Sequence, residues 1–243
     1  MKPFLLLATR AEDVPADEEY ALFLRYSGLS EAELVRVRME AAPLGPVRLE
    51  DWSGIFVGGG PFNASDPAAM KSAVQHRVEA EFAALLDDVV AQDYPFLGAC
   101  YGIGTLGAHQ GATIDRTHGE PISVVDLSLT DDGADDPLLT GLPHRFTGFV
   151  GHKEAISTLP DTATLLVRGE ACPVQMFRVG RNVYATQFHP ELDLAGITTR
   201  IHAYADHGYF AADELDLTLA AVRRAPVAHT GLILRNFVER YAR

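Results

Sequence analysis

The sequence predicts an α/β fold: a mostly parallel, open sheet flanked by helices, with antiparallel extension strands and a helical C-terminal extension. Three observations carry this. In the first half, short apolar runs alternate with amphipathic stretches. Parallel strands need long crossovers, and helices usually provide them. After about residue 120 the chain becomes strand-rich with short polar connections, and from Asp193 onward helical spacing returns.

In chain order, PFLLLA (3–8) and GIFVG (54–58) read as buried strands because they are apolar, brief and bounded by turn residues. Between them EAELVRVRMEA (31–41) reads as a helix with Leu34, Val37 and Ala41 on one face. The longest helix is expected over Ala69–Ala91, where Val74, Val78, Phe82, Leu85, Leu86 and Val89 recur at helical spacing. Asp66 reads as its N-cap, with Pro67 at the first helical position. PFLGA (95–99) returns as a strand, and GIGTLGAHQ (102–110) opens the helix that follows.

PISVVDLSL (121–129), HRFTGFVGH (144–152), TATLLVRG (162–169), PVQMFRV (173–179) and NVYATQF (182–188) then read as strands. VGRN joins the last two as a hairpin turn. Near the end, Leu234, Phe237, Val238 and Tyr241 share one helical face, expected to pack into the core. No Ser/Gly-rich linker or repeat divides the chain. The expectation is one domain over 1–243, with a core of about 1–192 and an extension of about 193–243.

Bulk properties exclude several classes. A chain of 243 residues with 47% hydrophobic and 22% charged residues can bury a full core as a soluble protein. Its net charge of −13, with basic residues nowhere clustered, argues against nucleic-acid binding through a basic footprint. The run Pro3–Ala8 is too short for a signal segment or membrane span, so a cytoplasmic protein that does not use a membrane is expected. There the only two cysteines, Cys100 and Cys172, stay as free thiols. No HExxH, CxxC or histidine cluster occurs, so neither a metal site nor a cofactor is expected.

Chemistry concentrates around Cys100. A buried strand ending in Gly-x-Cys-x-Gly before a helix has the pattern of a nucleophile elbow, whose small residues allow the tight turn. The helix N-terminus would favour thiolate. ATQFHPELD (185–193) holds His189 and Glu191 at a strand end, two residues apart around Pro190. His189 could take the thiol proton while Glu191 orients the ring. VGGGPFNASD (57–66) puts three glycines after a strand, where bare N–H groups can face an oxyanion; one of these and the N–H of Tyr101 would make the pair. Cys172, in GEACPVQM, lacks such flanks and reads as packed at a strand start.

GGGP (58–61), GACYGIG (98–104) and QFHPE (187–191), in this order, resemble the class I glutamine amidotransferases over roughly residues 3–192. The look is closest to stand-alone members resembling the glutaminase half of GMP synthase. The resemblance implies a flavodoxin-like core and attack of Cys100 on a glutamine side-chain amide. A γ-glutamyl thioester would form, ammonia would leave, and water would release glutamate. It gives His189 the role of base and later acid, Glu191 that of orienter, and the N–H groups of Gly60 and Tyr101 the oxyanion. Gly59, Gly104, His152 and Gln187 become candidate substrate contacts.

Two positions depart from the family pattern. Gly104 stands where relatives carry a glutamine that holds the substrate, and Gly151-His152 replaces Ser-His. The chain also lacks a pyrophosphatase loop and a Walker-type phosphate cradle. One reading is therefore a glutaminase whose ammonia goes to a separate synthase subunit in another chain. The second reading is a self-contained hydrolase of γ-glutamyl peptides or amines, and the third is a catalytically silent binding module. The sequence assigns no oligomeric state.

Overall fold

The computed structural model describes residues 1–204, 215–224 and 226–243. The elements are β1 (Phe4–Ala8), α1 (Asp13–Ser27), β2 (Leu34–Arg38), β3 (Ile55–Val57), α2 (Ala73–Ala91), β4 (Phe96–Ala99) and α3 (Tyr101–His109). There follow β5 (Thr113–Asp115), β6 (Glu120–Leu129), the short α4 (Asp131–Ala134), β7 (Arg145–His152) and β8 (Ala155–Thr158). The chain continues with β9 (Ala163–Gly169), β10 (Met176–Val179), β11 (Val183–Thr186), α5 (Leu194–Ala203), α6 (Leu215–Arg224) and α7 (Gly231–Tyr241). The extension read as helical from 193 includes 205–214, which lie outside the described residues.

The main sheet has the order β2-β1-β3-β4-β11-β10-β9-β6-β7. Its first five strands are parallel neighbours, and pairing is antiparallel from β11 onward. β5 and β8 form a separate antiparallel pair. The order 2-1-3-4 reverses direction at β1/β3, and ligands in such sheets bind beyond the carboxyl ends near that reversal.

Every residue of β1 is buried, and its two faces feed different cores. Leu5 and Leu7 pack with Val78, Phe82 and Leu86 of α2 and Leu106 of α3. Phe4 and Leu6 pack with Phe23 of α1 and Leu234 and Phe237 of α7. Period-two alternation thus places helices on both sheet faces. α5 and α6 add a smaller cluster, with Ile197, Ile201, Leu219 and Val222 against Ile122 and Phe149.

Two sequence expectations are corrected. Residues 31–41 do not form a helix: Leu34–Arg38 is the edge strand β2, paired in parallel with β1. The crossover helix preceding it is α1, whose exposed face is held to β2 by Arg36–Asp17 at 2.8 Å and Arg38–Asp13 at 2.6 Å. Nor does Asp66 cap the long helix. Ser72 does, its side chain accepting from Gln75 N–H at 3.1 Å, and Ala68–Met70 forms a separate 3₁₀ turn. Asp66 instead pairs with Arg116 and accepts from the Asn63 amide.

Candidate active site

β4 runs straight into α3 through Cys100, whose φ of 52° and ψ of −89° are strained for a residue with a Cβ. The turn is this tight because Gly98 has no side chain: a Cβ there would stand 2.8 Å from the Gly102 Cα. Cys100 N–H donates to the Thr186 carbonyl at 2.8 Å, tying the elbow to the end of β11. The side chain is partly exposed between two cavities. One is lined by Gly60, Phe62, Tyr101, Gly104, His152 and Gln187. The other is lined by Gly60, Arg10, His189, Arg200 and Tyr204.

Just beyond β11, the segment carrying the histidine is pinned by three hydrogen bonds. Thr186 Oγ1 donates to the Phe188 carbonyl at 2.8 Å, Gln187 N–H to Gln175 O at 2.8 Å, and His189 N–H to Phe149 O at 3.0 Å. His189 Nδ1 lies 2.8 Å from Glu191 Oε1, with both side chains buried. A ring whose Nδ1–H is given to a carboxylate keeps Nε2 free to accept a proton. His189 and Cys100 border the same cavity. Tyr101 is the first residue of α3, so its N–H precedes the helix's own hydrogen-bond ladder.

A buried ionic network surrounds this set, and no sequence motif announces it. Glu19 Oε1, on α1, accepts from Arg10 Nε at 3.0 Å, Arg200 Nη2 at 3.0 Å and Gly59 N–H at 3.2 Å. Arg200, on α5, also donates from Nη2 to Glu191 Oε1 at 2.9 Å. Its Nη1 lies 2.9 Å from His189 Nδ1 and 3.4 Å from Nε2. Because the Nδ1 proton goes to Glu191, this guanidinium acts on the ring as a neighbouring cation. Arg10 donates to the Tyr204 hydroxyl at 2.9 Å. Position alone hints at Arg10, two residues past β1 at the carboxyl edge of the sheet; Glu19 and Arg200 look like ordinary helix charges.

Gly59 lies outside the residues lining the two cavities, and its N–H is given to Glu19. Gly104 and Gln187 do line the first cavity. A Cβ at Gly104 would stand 3.5 Å from Glu154 Oε1 and 3.7 Å from the Ala64 Cβ, so the missing side chain is answered by a carboxylate. Glu154 Oε1 accepts from Ala64 N–H at 2.6 Å and Oε2 from Ser65 N–H at 2.8 Å. His152 borders the cavity with both ring nitrogens engaged, Nδ1 at the Glu154 carbonyl and Nε2 at Glu120.

The family model described as glutamine amidotransferase class-I matches residues 22–208. The chain belongs to this family. A glutamine-hydrolyzing GMP synthase subunit of Thermococcus kodakarensis is 27% identical to it over 187 residues, 76% of this chain and 83% of that protein. The corresponding GMP synthase subunit of Thermoplasma acidophilum is 33% identical over 102 residues, covering 42% of this chain and 50% of that protein. A solved glutamine amidotransferase of Thermotoga maritima superposes with a TM-score of 0.78 at 21% identity, covering 99% of this chain and 98% of that one. The likeness is one of fold, and it extends through the C-terminal helices. This chain is a cysteine-nucleophile glutamine amidotransferase. Among the described residues no helix is long and apolar enough to cross a membrane.

In this amidotransferase, the surroundings oppose ionisation of both Cys100 and His189. Although the residue is partly exposed, the protein packed around its sulfur desolvates it and pushes the Cys100 thiol up to about 11. Arg10 and Arg200 pull against this, and Glu191 and Glu19 add to the rise. A helix terminus contributes about 0.3–1 kcal/mol, less than a tenfold change in ionisation, so the α3 dipole offsets only part of this rise. Burial also lowers His189; Glu191 opposes this, and Arg200 reinforces it. For Glu191, burial favours the acid form but is outweighed by His189 and Arg200, which hold the carboxyl below its ordinary 4.5.

Proposed function

We propose that this protein hydrolyses the side-chain amide of glutamine through a thioester on Cys100. The observation that supports it best is the shared cavity of Cys100 and His189, with His189 held at 2.8 Å by Glu191. The Cys100 proton passes to His189 Nε2 as sulfur attacks the amide carbon. The carbonyl oxygen becomes an oxyanion that the N–H groups of Gly60 and Tyr101 receive. His189 then returns the proton to the departing nitrogen, the C–N bond breaks, and ammonia leaves behind a γ-glutamyl thioester. Water attacks next, giving its proton to His189; the C–S bond breaks, the thiol is re-protonated, and glutamate is released.

Burial disfavours both the thiolate and the imidazolium, so the proton moves from sulfur to His189 as sulfur attacks. This fits a glutaminase that runs slowly alone. Relatives named as glutamine-hydrolyzing GMP synthase subunits support an ammonia acceptor carried by a separate synthase chain. Purified protein given glutamine should release glutamate and ammonia in equal amounts, and Cys100→Ser should lower the rate at least 10³-fold, on the order of other nucleophile losses. Turnover surviving in Cys100→Ser would end this reading.

Gly104 favours one second reading, a self-contained hydrolase of γ-glutamyl peptides or amines. With no side chain at 104, the first cavity is bordered by the Glu154 carboxylate, which can accept from a substrate ammonium. Comparing kcat/KM for glutamine with that for a panel of γ-glutamyl amides separates the two.

A further inference from the structure

A second set of chemistry-bearing side chains converges beside the first cavity, and the proposed reaction does not use it. Glu120 opens β6, His152 closes β7, and Cys172 and Gln175 lie between β9 and β10. All four are buried. Ligand atoms of Glu120, His152 and Cys172 all lie within 4.8 Å of one another.

Cys172 Sγ turns to the Val174 carbonyl at 3.5 Å, and with His152 neutral the hydrogen bonds of the other three do not close among themselves. His152 Nδ1 is 2.8 Å from the Glu154 carbonyl, and Nε2 is 2.9 Å from Glu120 Oε2. Both partners are acceptors when Glu120 is ionised, yet a neutral imidazole has a single N–H to give. Gln175 Nε2 donates to the same Glu120 oxygen at 2.8 Å, while Gln175 Oε1 is buried without a hydrogen-bond partner. Buried polar atoms are almost always satisfied, so the orphaned oxygen of an amide bonded to the Glu120 carboxylate calls for a partner.

One divalent cation satisfies them all. Nδ1–H then donates to the Glu154 carbonyl, the outer-shell support that orients a metal-binding histidine. Nε2, a Glu120 oxygen, Cys172 Sγ and Gln175 Oε1 supply four ligands. One carboxylate and one thiolate cancel the ion's double charge, so the buried cluster stays neutral. We propose that Glu120, His152, Cys172 and Gln175 form a structural zinc site. A sulfur, nitrogen and oxygen set suits zinc, whereas magnesium and calcium take oxygen ligands. Binding releases the Cys172 thiol proton to solvent and makes an S–Zn bond, with no change of oxidation state.

The site would brace the substrate cavity from outside. His152 holds the carbonyl of Glu154, whose carboxylate stands over Gly104, and Gln175 O receives the N–H of Gln187. The four ligands come from three stretches, and only Cys172 and Gln175 are close in the chain, so no zinc-ligand spacing marks the set in the sequence.

The test loads the full-length protein with zinc, removes loosely held ion by dialysis, and measures metal content; cobalt loading provides a spectrum. About one zinc per chain is expected. The cobalt form should show a thiolate-to-metal charge-transfer band that persists in Cys100→Ser and disappears in Cys172→Ser. Should Cys172→Ser fail to fold, Glu120→Gln should weaken zinc binding at least tenfold. The proposal is overturned by wild-type protein that keeps less than about a tenth of an equivalent. It is equally overturned by a band that follows Cys100 instead of Cys172, or by unchanged zinc affinity in folded Glu120→Gln.

Discussion

Arg200 Nη2 bonds Glu191 Oε1 at 2.9 Å, so the carboxylate that holds His189 is itself held by a helix beyond the sheet. The same guanidinium bonds Glu19, which also receives Arg10 and the N–H of Gly59. Strand ends β1, β3 and β11 and helices α1 and α5 therefore meet at two carboxylates. Removing one member of a buried ionic set costs about 3–5 kcal/mol, because its partner is left charged without compensation.

Arg200→Met removes a cation that lowers both His189 and Cys100. The base works only when neutral, and a raised pKa keeps it protonated to higher pH. The acid limb of the kcat/KM profile should therefore move upward, and alkylation of Cys100 should require higher pH. Unchanged profiles in a folded variant would show that Arg200 only fills space.

Acid should weaken the fold. With His189 below its ordinary 6.5 in the folded chain, the unfolded chain binds a proton first as pH falls through that value. With Glu191 below 4.5, its charge stabilises the fold above that value, and this is lost as pH falls further. Both shifts act in one direction, so the urea midpoint should fall steadily from about pH 7 to about pH 4. A flat or rising midpoint would contradict the assignment.

Phe237→Ala tests whether the terminal helix belongs to the core. The ring is fully buried, with centroids 4.9 Å from Phe56 and 6.1 Å from Phe4. Truncation should cost about 3–5 kcal/mol in chemical unfolding. A loss below about 1 kcal/mol would instead suit an exposed docking stripe.

Gly104→Gln supplies the side chain that the family resemblance implies at this position. The site has ordinary space for a Cβ, so the variant should fold. If glutamine is the substrate, KM for glutamine should fall severalfold with kcat little changed. A rise in KM, with γ-glutamyl amides also excluded, would favour the hydrolase reading.

The elbow, the glycine turn and the His-x-Glu pair are legible in the sequence because each is fixed by neighbours in the chain. β2 is not. Its stretch Leu34–Met39 alternates Val35, Val37 and Met39 with Arg36 and Arg38, yet Leu34 and Val37 also fit a helical face. What decides for a strand is parallel pairing with β1 and ion pairs to α1, neither visible locally. Glu19 and Arg200 are hidden for the same reason, being 181 positions apart in sequence.

The most direct measurement is mass spectrometry of the wild-type protein after treatment with a glutamine-analogue diazoketone. A single adduct mapped to Cys100, prevented by excess glutamine and absent in Cys100→Ser, is the predicted result. Labelling at Cys172, or none at all in folded protein, would contradict Cys100 as the nucleophile of a γ-glutamyl site.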